Sequence, residues 1–200
     1  MNQIMKPSEI EKKSFAMITQ ELGARTFPEG QSEVIKRVIH TTADFDYAEN
    51  LCFSADAICA AKTALSEGAT IVTDTTMALS GINKTFMAEP EVAEQAKARG
   101  ITRAAVSMEY ASKLSGNVIF AVGNAPTALI RLHELIEEGV CKPALVIGVP
   151  VGFVNVVESK ELFLGGTTPY IIARGRKGGS NVAAAIINAL QYQIVKREGF

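Results

Sequence analysis

The chain lacks most of the residue groupings that announce a function by themselves. Cys52, Cys59 and Cys141 are an odd number without a Cys-x-x-Cys pair, and no His stands at metal-ligand spacing. Neither a disulfide framework nor a metal site is indicated, and a reducing compartment is the simplest setting. Excess charge is missing too: 20 Lys and Arg against 21 Asp and Glu leave a formal net charge of −1. That argues against nucleic acid as a partner, because non-specific binding needs a basic footprint, and it leaves any anionic ligand to be held by local groups. No apolar run is long and uninterrupted enough to cross a bilayer, and Met1-Asn2-Gln3-Ile4-Met5-Lys6-Pro7 lacks the apolar centre of a signal peptide. No membrane partner and a cytoplasmic location are therefore expected. Fixed-period repeats, low-complexity tracts and Ser/Pro-rich linkers are absent as well. With 200 residues, 48% of them hydrophobic, the expectation is one domain over residues 1–200 that buries a real core.

What is present is hydrophobic periodicity. Ser8-Glu9-Ile10-Glu11 fits a capping box, and Ile10, Phe15, Met17, Ile18 and Leu22 follow at roughly helical spacing until Gly23. After a loop with Pro28 and Gly30, the positions of Val34, Ile35, Val38 and Ile39 mark a second helix, whose end delivers His40 into a polar turn. Residues 1–46 thus read as a helical arm. From Leu51 the texture changes, and short β-branched runs alternate with Ala-rich helical stretches. Strands are expected at 51–53, 70–72, 117–122, 144–147 and 170–173. Helices are expected at 55–67, 91–99, 102–114, 127–138 (opened by Asn124 and Pro126), 155–163 and from a Ser180 cap to about 195. The fold class implied is α/β: a three-layer αβα core over 51–195 with a mostly parallel sheet, preceded by the arm.

The chemistry collects in two places. His40-Thr41-Thr42-Ala43-Asp44-Phe45-Asp46 puts an imidazole, which exchanges protons near neutral pH, beside two carboxylates. A His that closes a helix before a capped turn needs no function, and this segment alone favours that plainer reading. The second place is a set of polar or glycine-bearing loops, Thr73-Asp74-Thr75-Thr76-Met77, Gly123-Asn124-Ala125-Pro126-Thr127, Gly148-Val149-Pro150-Val151-Gly152-Phe153 and Arg174-Gly175-Arg176-Lys177-Gly178-Gly179-Ser180. Each follows a predicted strand. In a parallel sheet such loops gather at the carboxyl edge, where ligands bind, and their helix-start amides, glycines, Arg174, Arg176 and Lys177 suit a multiply anionic small molecule. Each loop taken singly is also an ordinary capped connection. The phosphate-loop spacing and the Gly-x-Gly-x-x-Gly fingerprint are both missing, so nucleotide binding is not supported. His133 and Asp56 read as helix-surface residues, whereas Glu158, Ser159 and Lys160 fit a solvated face and a pocket wall equally well.

Several of these stretches, in this order and spacing, resemble the precorrin-8X methylmutase family, known in the anaerobic pathway as cobalt-precorrin-8 methylmutase. They are Val38 to Phe45, Val72 to Met77, Gly123 to Leu129, Gly148 to Val154, Glu158-Ser159-Lys160 and Arg174 to Ser180. The resemblance covers nearly the whole chain. It implies an isomerase that moves a methyl group from C-11 to C-12 of a corrin precursor, giving hydrogenobyrinate, or cobyrinate when cobalt is already inserted. His40 falls on the family's catalytic His, a proton donor to the macrocycle, and Ser14 on a substrate contact. Together with the loops, it leads to a substrate-binding set of Ser14, Thr41, Thr42, Asp44, Asp74, Thr75, Met77, Asn124, Pro126 and Thr127, continued by Gly148, Pro150, Phe153, Ser159, Lys160, Arg174, Lys177, Gly178 and Gly179. An intramolecular shift needs no cofactor, and any cobalt travels with the substrate. A homodimer is also implied. The rival from another class is a carrier for an anionic tetrapyrrole, in which His40 only donates a hydrogen bond.

Overall fold

The computed structural model describes residues 6–75 and 85–194. Helix α1 (Pro7–Leu22) starts with proline, whose missing N–H would find no partner in a first turn anyway. Its entry is closed by Lys6 N donating to the Glu9 carboxylate at 3.1 Å, so the helix begins ahead of the Ser8 cap read from the sequence. Helix α2 (Gln31–Thr42) buries Val34, Ile35, Val38 and Ile39, and stops where Ala43 turns left-handed at φ 54°. His40, Thr41 and Thr42 therefore belong to its last turn, and the polar turn proper begins at Ala43. A four-residue helix, α3 (Tyr47–Asn50), was not expected; buried Tyr47 anchors it.

Beyond it come β1 (Leu51–Phe53), α4 (Ala57–Ser66), β2 (Thr70–Thr73), α5 (Pro90–Arg99), α6 (Arg103–Ala111), β3 (Val118–Val122), α7 (Pro126–Glu137), β4 (Leu145–Gly148), α8 (Val156–Glu161), β5 (Tyr170–Ala173) and α9 (Ser180–Tyr192). These match the expected alternation, with ends shifted by a residue or a few. The sheet runs β1-β5-β4-β3-β2. Strands β2 to β5 are parallel neighbours, and β1 closes the edge antiparallel to β5, with Leu51 opposite Ala173.

Strand alternation divides the core in two. Ile71, Ile119, Ala121, Leu145, Ile147, Ile171 and Ala173 face a layer built from α1, α2, α4 and α9. Val72, Val118, Phe120, Val122, Val146 and Ile172 face α5, α6 and α7. The result is the expected three-layer αβα arrangement, except that α1 and α2, expected as an arm ahead of the core, are built into one of its layers; β3 is buried along its whole length because helices cover it on both sides. Helix α8 packs on α7, so the connections between β2 and β5 run on one face, while α9 leaves β5 for the other. The loops after β4 and β5 therefore depart in opposite directions, the arrangement that marks ligand sites in open α/β sheets.

Ser180 is the first residue of α9 and does not cap it; Gly179, at φ 133°, precedes the helix. This entry brings α9 against the end of β3, where a Cβ on Gly123 would stand 2.8 Å from Ser180 Cα and 3.0 Å from Ser180 N. Backbone on one side and a sheet on the other leave little room to yield. Gly123→Ala is expected to destabilise the protein by about 1–3 kcal/mol, read as a lower urea midpoint. An unchanged midpoint would mean that helix and strand stand further apart.

Candidate active site

The carboxyl edge of the parallel strands is held together by its own polar groups. Asp74, only 2% exposed, accepts Gly123 N at 2.9 Å, Asn124 N at 2.9 Å and Ala125 N at 2.6 Å. Burial pushes its carboxyl above the usual range while the three amides pull the other way. The amides expected to hold a ligand's anionic group are thus already occupied by a resident carboxylate. Thr75 donates its hydroxyl to Ser180 Oγ at 3.0 Å, which ties the loop after β2 to the start of α9. Met77 and Thr76 lie outside the described residues.

The loops after β4 and β5 are locked in the same way. Gly152 N donates to Arg176 O at 3.2 Å and Gly179 N to Val149 O at 2.8 Å. A Cβ on Gly178 would fall 2.1 Å from Val149 O, so this glycine makes room for protein backbone, where the sequence suggested room for a ligand. Gly148 and Pro150 are buried too. Lys160, 1% exposed, donates its ammonium to Gly175 O and Lys177 O, both at 2.8 Å. Desolvation depresses its pKa to about 8. Buried Ser159 returns its hydroxyl to Val156 O at 2.9 Å. Glu158 alone of this trio is exposed, so Ser159 and Lys160 form neither a solvated face nor an open pocket wall.

The arm meets this edge through one ion-pair cluster. Lys177 Nζ lies 2.6 Å from both Asp44 Oδ2 and Asp46 Oδ2, and Asp46 N donates to Asp44 Oδ1 at 3.0 Å. The hydrogen bond from Lys177 holds the Asp44 carboxyl below its usual range. The hydroxyls of Thr41 and Thr42 turn back onto Arg37 O and Val38 O at 2.9 and 2.8 Å, so they brace the helix end. His40 is exposed, its ring tilted against Phe15 with centroids 5.3 Å apart. Phe15 also receives the Arg37 guanidinium over its ring at 4.7 Å, and half-buried Ser14 directly precedes it. In the sequence Phe15 stands only as one of the apolar residues at helical spacing, and that spacing carries no sign of the contact with His40.

Among the described candidate residues, those whose side chains stay open at this edge are Asn124, Phe153, Arg174 and Arg176, all exposed. Arg176 stacks over Phe153 at 5.3 Å. Pro126 is the first residue of α7, and Thr127, half-buried beside it, shares a 2.7 Å hydrogen bond with Thr102. Asp74, Thr75 and the bonds between the later loops bring the described parts of the four loops together at this edge. A cavity of about 690 Å³ lies elsewhere, between α1, α2 and α9, and touches the His40 neighbourhood through Phe15; another of about 510 Å³ lies between α6 and α7. Among the described residues, no cluster of His, Cys, Asp and Glu could hold a metal ion, and no helix is long and apolar enough to cross a membrane.

A family model described as precorrin-8X methylmutase matches residues 9–193. The chain belongs to that family. It is 44% identical over 197 residues to the cobalt-precorrin-8 methylmutase of Priestia megaterium, covering 93% of this chain and 88% of that one. Identity to the precorrin-8X methylmutase of Pseudomonas aeruginosa is 39% over 194 residues, 90% of this chain and 93% of the other. The crystal structure of a precorrin-8X methyl mutase from Thermus thermophilus superposes with a TM-score of 0.83 at 40% identity, covering 91% of this chain and 93% of that one.

Lys160 gives this methylmutase-family chain a testable pH signature. Its folded pKa of about 8 lies below the ordinary lysine value of ~10.4, so between these two the unfolded chain holds the proton and the folded protein does not. Stability from this group therefore rises with pH across that window and is at its lowest below it. In urea titrations, the stability difference between wild type and Lys160→Met should move toward wild type by on the order of 2–3 kcal/mol from pH 8 to pH 10.5. A flat difference would return Lys160 to the solvent.

Proposed function

We propose that the chain is an isomerase of cobalamin biosynthesis that moves a methyl group from C-11 to C-12 of precorrin-8X or cobalt-precorrin-8, with His40 as proton donor. The products are hydrogenobyrinate and cobyrinate respectively. Family membership over residues 9–193 supports the reaction class. The observation that carries the residue assignment is the position of His40. It lies in the last turn of α2 with its ring in the open, just ahead of the turn that Lys177 ties to the carboxyl edge through Asp44.

Protonation by His40 makes the conjugated macrocycle more electron-poor and so eases a suprafacial 1,5-shift in which the C-11–methyl bond breaks as the C-12–methyl bond forms. The proton then returns to the imidazole, so that substrate and product stay isomers, and the product gains conjugation. The protein's part is a positioned acid and a surface matched to the product-like shape. The substrate's acetate and propionate carboxylates call for cations that are not already spent. Lys177 is engaged with Asp44 and Asp46, whereas Arg174 and Arg176 form no ion pair among the described residues. We assign those two arginines to substrate carboxylates, and the exposed Phe153 under Arg176 to the edge of the macrocycle. The chain works as one domain, in a reducing cytoplasm and as a homodimer, without a resident cofactor.

The test is incubation with metal-free and cobalt-containing precorrin-8 separately, with protein at catalytic concentration. An enzyme converts the whole absorption spectrum over many turnovers; a carrier perturbs only the bound fraction, and that result would overturn the isomerase reading. His40→Ala is expected to fold, to bind the macrocycle and to lose roughly 10²–10⁴ in turnover. Near-wild-type turnover would remove His40 from the proton step. Arg174→Ala or Arg176→Ala, at least one of the two, should weaken macrocycle binding by about tenfold or more. Unchanged affinity in both would leave the carboxylates to other groups.

A further inference from the structure

The buried ammonium of Lys160 is not used by the reaction as described. It sits 1% exposed and is met by two backbone carbonyls, those of Gly175 and Lys177, with no carboxylate among its hydrogen-bond partners. A cation taken out of water with only carbonyl dipoles for compensation costs stability, and an apolar side chain of similar volume would fill the space more cheaply. Its depressed pKa is a sign of that cost. What the arrangement provides is location. Between the two gripped carbonyls lies that of Arg176, held from the other side by Gly152 N at 3.2 Å. Three successive carbonyls are thus fixed, and with them the point from which the Lys177 side chain leaves.

From that point Lys177 reaches Asp44 and Asp46, more than 130 residues away in the chain. Asp44 follows the last turn of α2, which carries His40. The contacts form one unbroken mechanical line from α8, through the loop after β5, to the end of α2. We propose that Lys160 is a positioning residue: by gripping the carbonyls of Gly175 and Lys177 it sets the Lys177 clamp on Asp44 and Asp46, and so fixes where His40 stands relative to the carboxyl edge. Arg174 and Arg176, on the same loop, are placed by the same grip.

The geometry can be read without turnover. The chain has two histidines, His40 and His133. In a His133→Gln background with labelled histidine, the imidazole resonance belongs to His40 alone. Lys177→Met, which removes an exposed side chain and should leave the fold intact, is expected to shift that resonance. Lys160→Met should shift it in the same direction, and the double variant should add little to either single change. A His40 resonance unmoved by Lys160→Met, or two shifts that add independently, would overturn the proposal. Should Lys160→Met fail to fold, Lys160→Gln, too short to bridge both carbonyls, is read by the same criteria. The consequence for catalysis rests on the proton-donor reading of His40. If that reading holds, each single variant loses roughly 10–100-fold in kcat with a smaller change in KM, the penalty of a misplaced group. A shifted resonance with unchanged turnover would support the positioning and count against the proton-donor reading instead.

Discussion

Buried backbone groups must be paired, and at the carboxyl edge of this sheet they are paired mainly by a few long-range side chains. Asp74 closes the amides of Gly123, Asn124 and Ala125, and Lys160 closes the carbonyls of Gly175 and Lys177. One acid takes donors and one base takes acceptors, three amides on the carboxylate and two carbonyls on the ammonium. Without them these groups in the turns after β3 and β5 would lose the side-chain partners that tie the turns to α8 and to the loop after β2. Asn124 and Lys177, two of the candidate residues at this edge, are bonded through their own backbone to these two side chains.

This changes how the loops should be understood. Amides at helix starts and glycines in turns suggest ligand cradles, because both features serve anions in other proteins. Here the amides face Asp74, and Gly123, Gly148 and Gly178 give space to α9, to Ile172 and to Val149. The described parts of the loops are tied to one another by backbone and buried side chains, which is why the proposed binding role goes to the side chains that stand on them. Rigidity has its own use, since a fixed constellation needs less ordering when a ligand arrives.

Much of the architecture was legible because it rests on local pattern. Parallel strands buried on both faces read as continuous apolar runs, as in Val118 to Val122, and Gly68, Gly100 and Gly139 each follow a helix closely. Short α3 was missed because four residues give no period to detect; Tyr47 holds it by burial instead. The helix starts at Ser8 and Ser180 were misplaced by a residue or two, since proline at one and a close backbone approach at the other overrode side-chain capping. The candidate site was legible as a set of loops but not as a set of roles. Whether Lys160 or Asp74 faces ligand or protein depends on partners 15 to 51 positions away, and the tie between Lys177 and Asp44 spans 133. No window of sequence contains both ends of such a bond.

The two buried ions also show why cations of the last loop differ in what they can do. Lys160 is spent on carbonyls and Lys177 on two carboxylates, so their charge is neutralised or masked before any ligand arrives. Arg174 and Arg176 stay in solvent, and Arg176 has only an aromatic face beneath it. A guanidinium keeps its fork of donors free when it stacks on a ring, because cation–π attraction uses the face and leaves the edge. In a chain of near-zero net charge, the proposed polycarboxylate would therefore meet a few directed cations rather than a positive field. Such a surface favours ligands whose carboxylates match the spacing of those cations over ligands that are merely anionic, which suits a macrocycle that carries its carboxylates at fixed points on its rim.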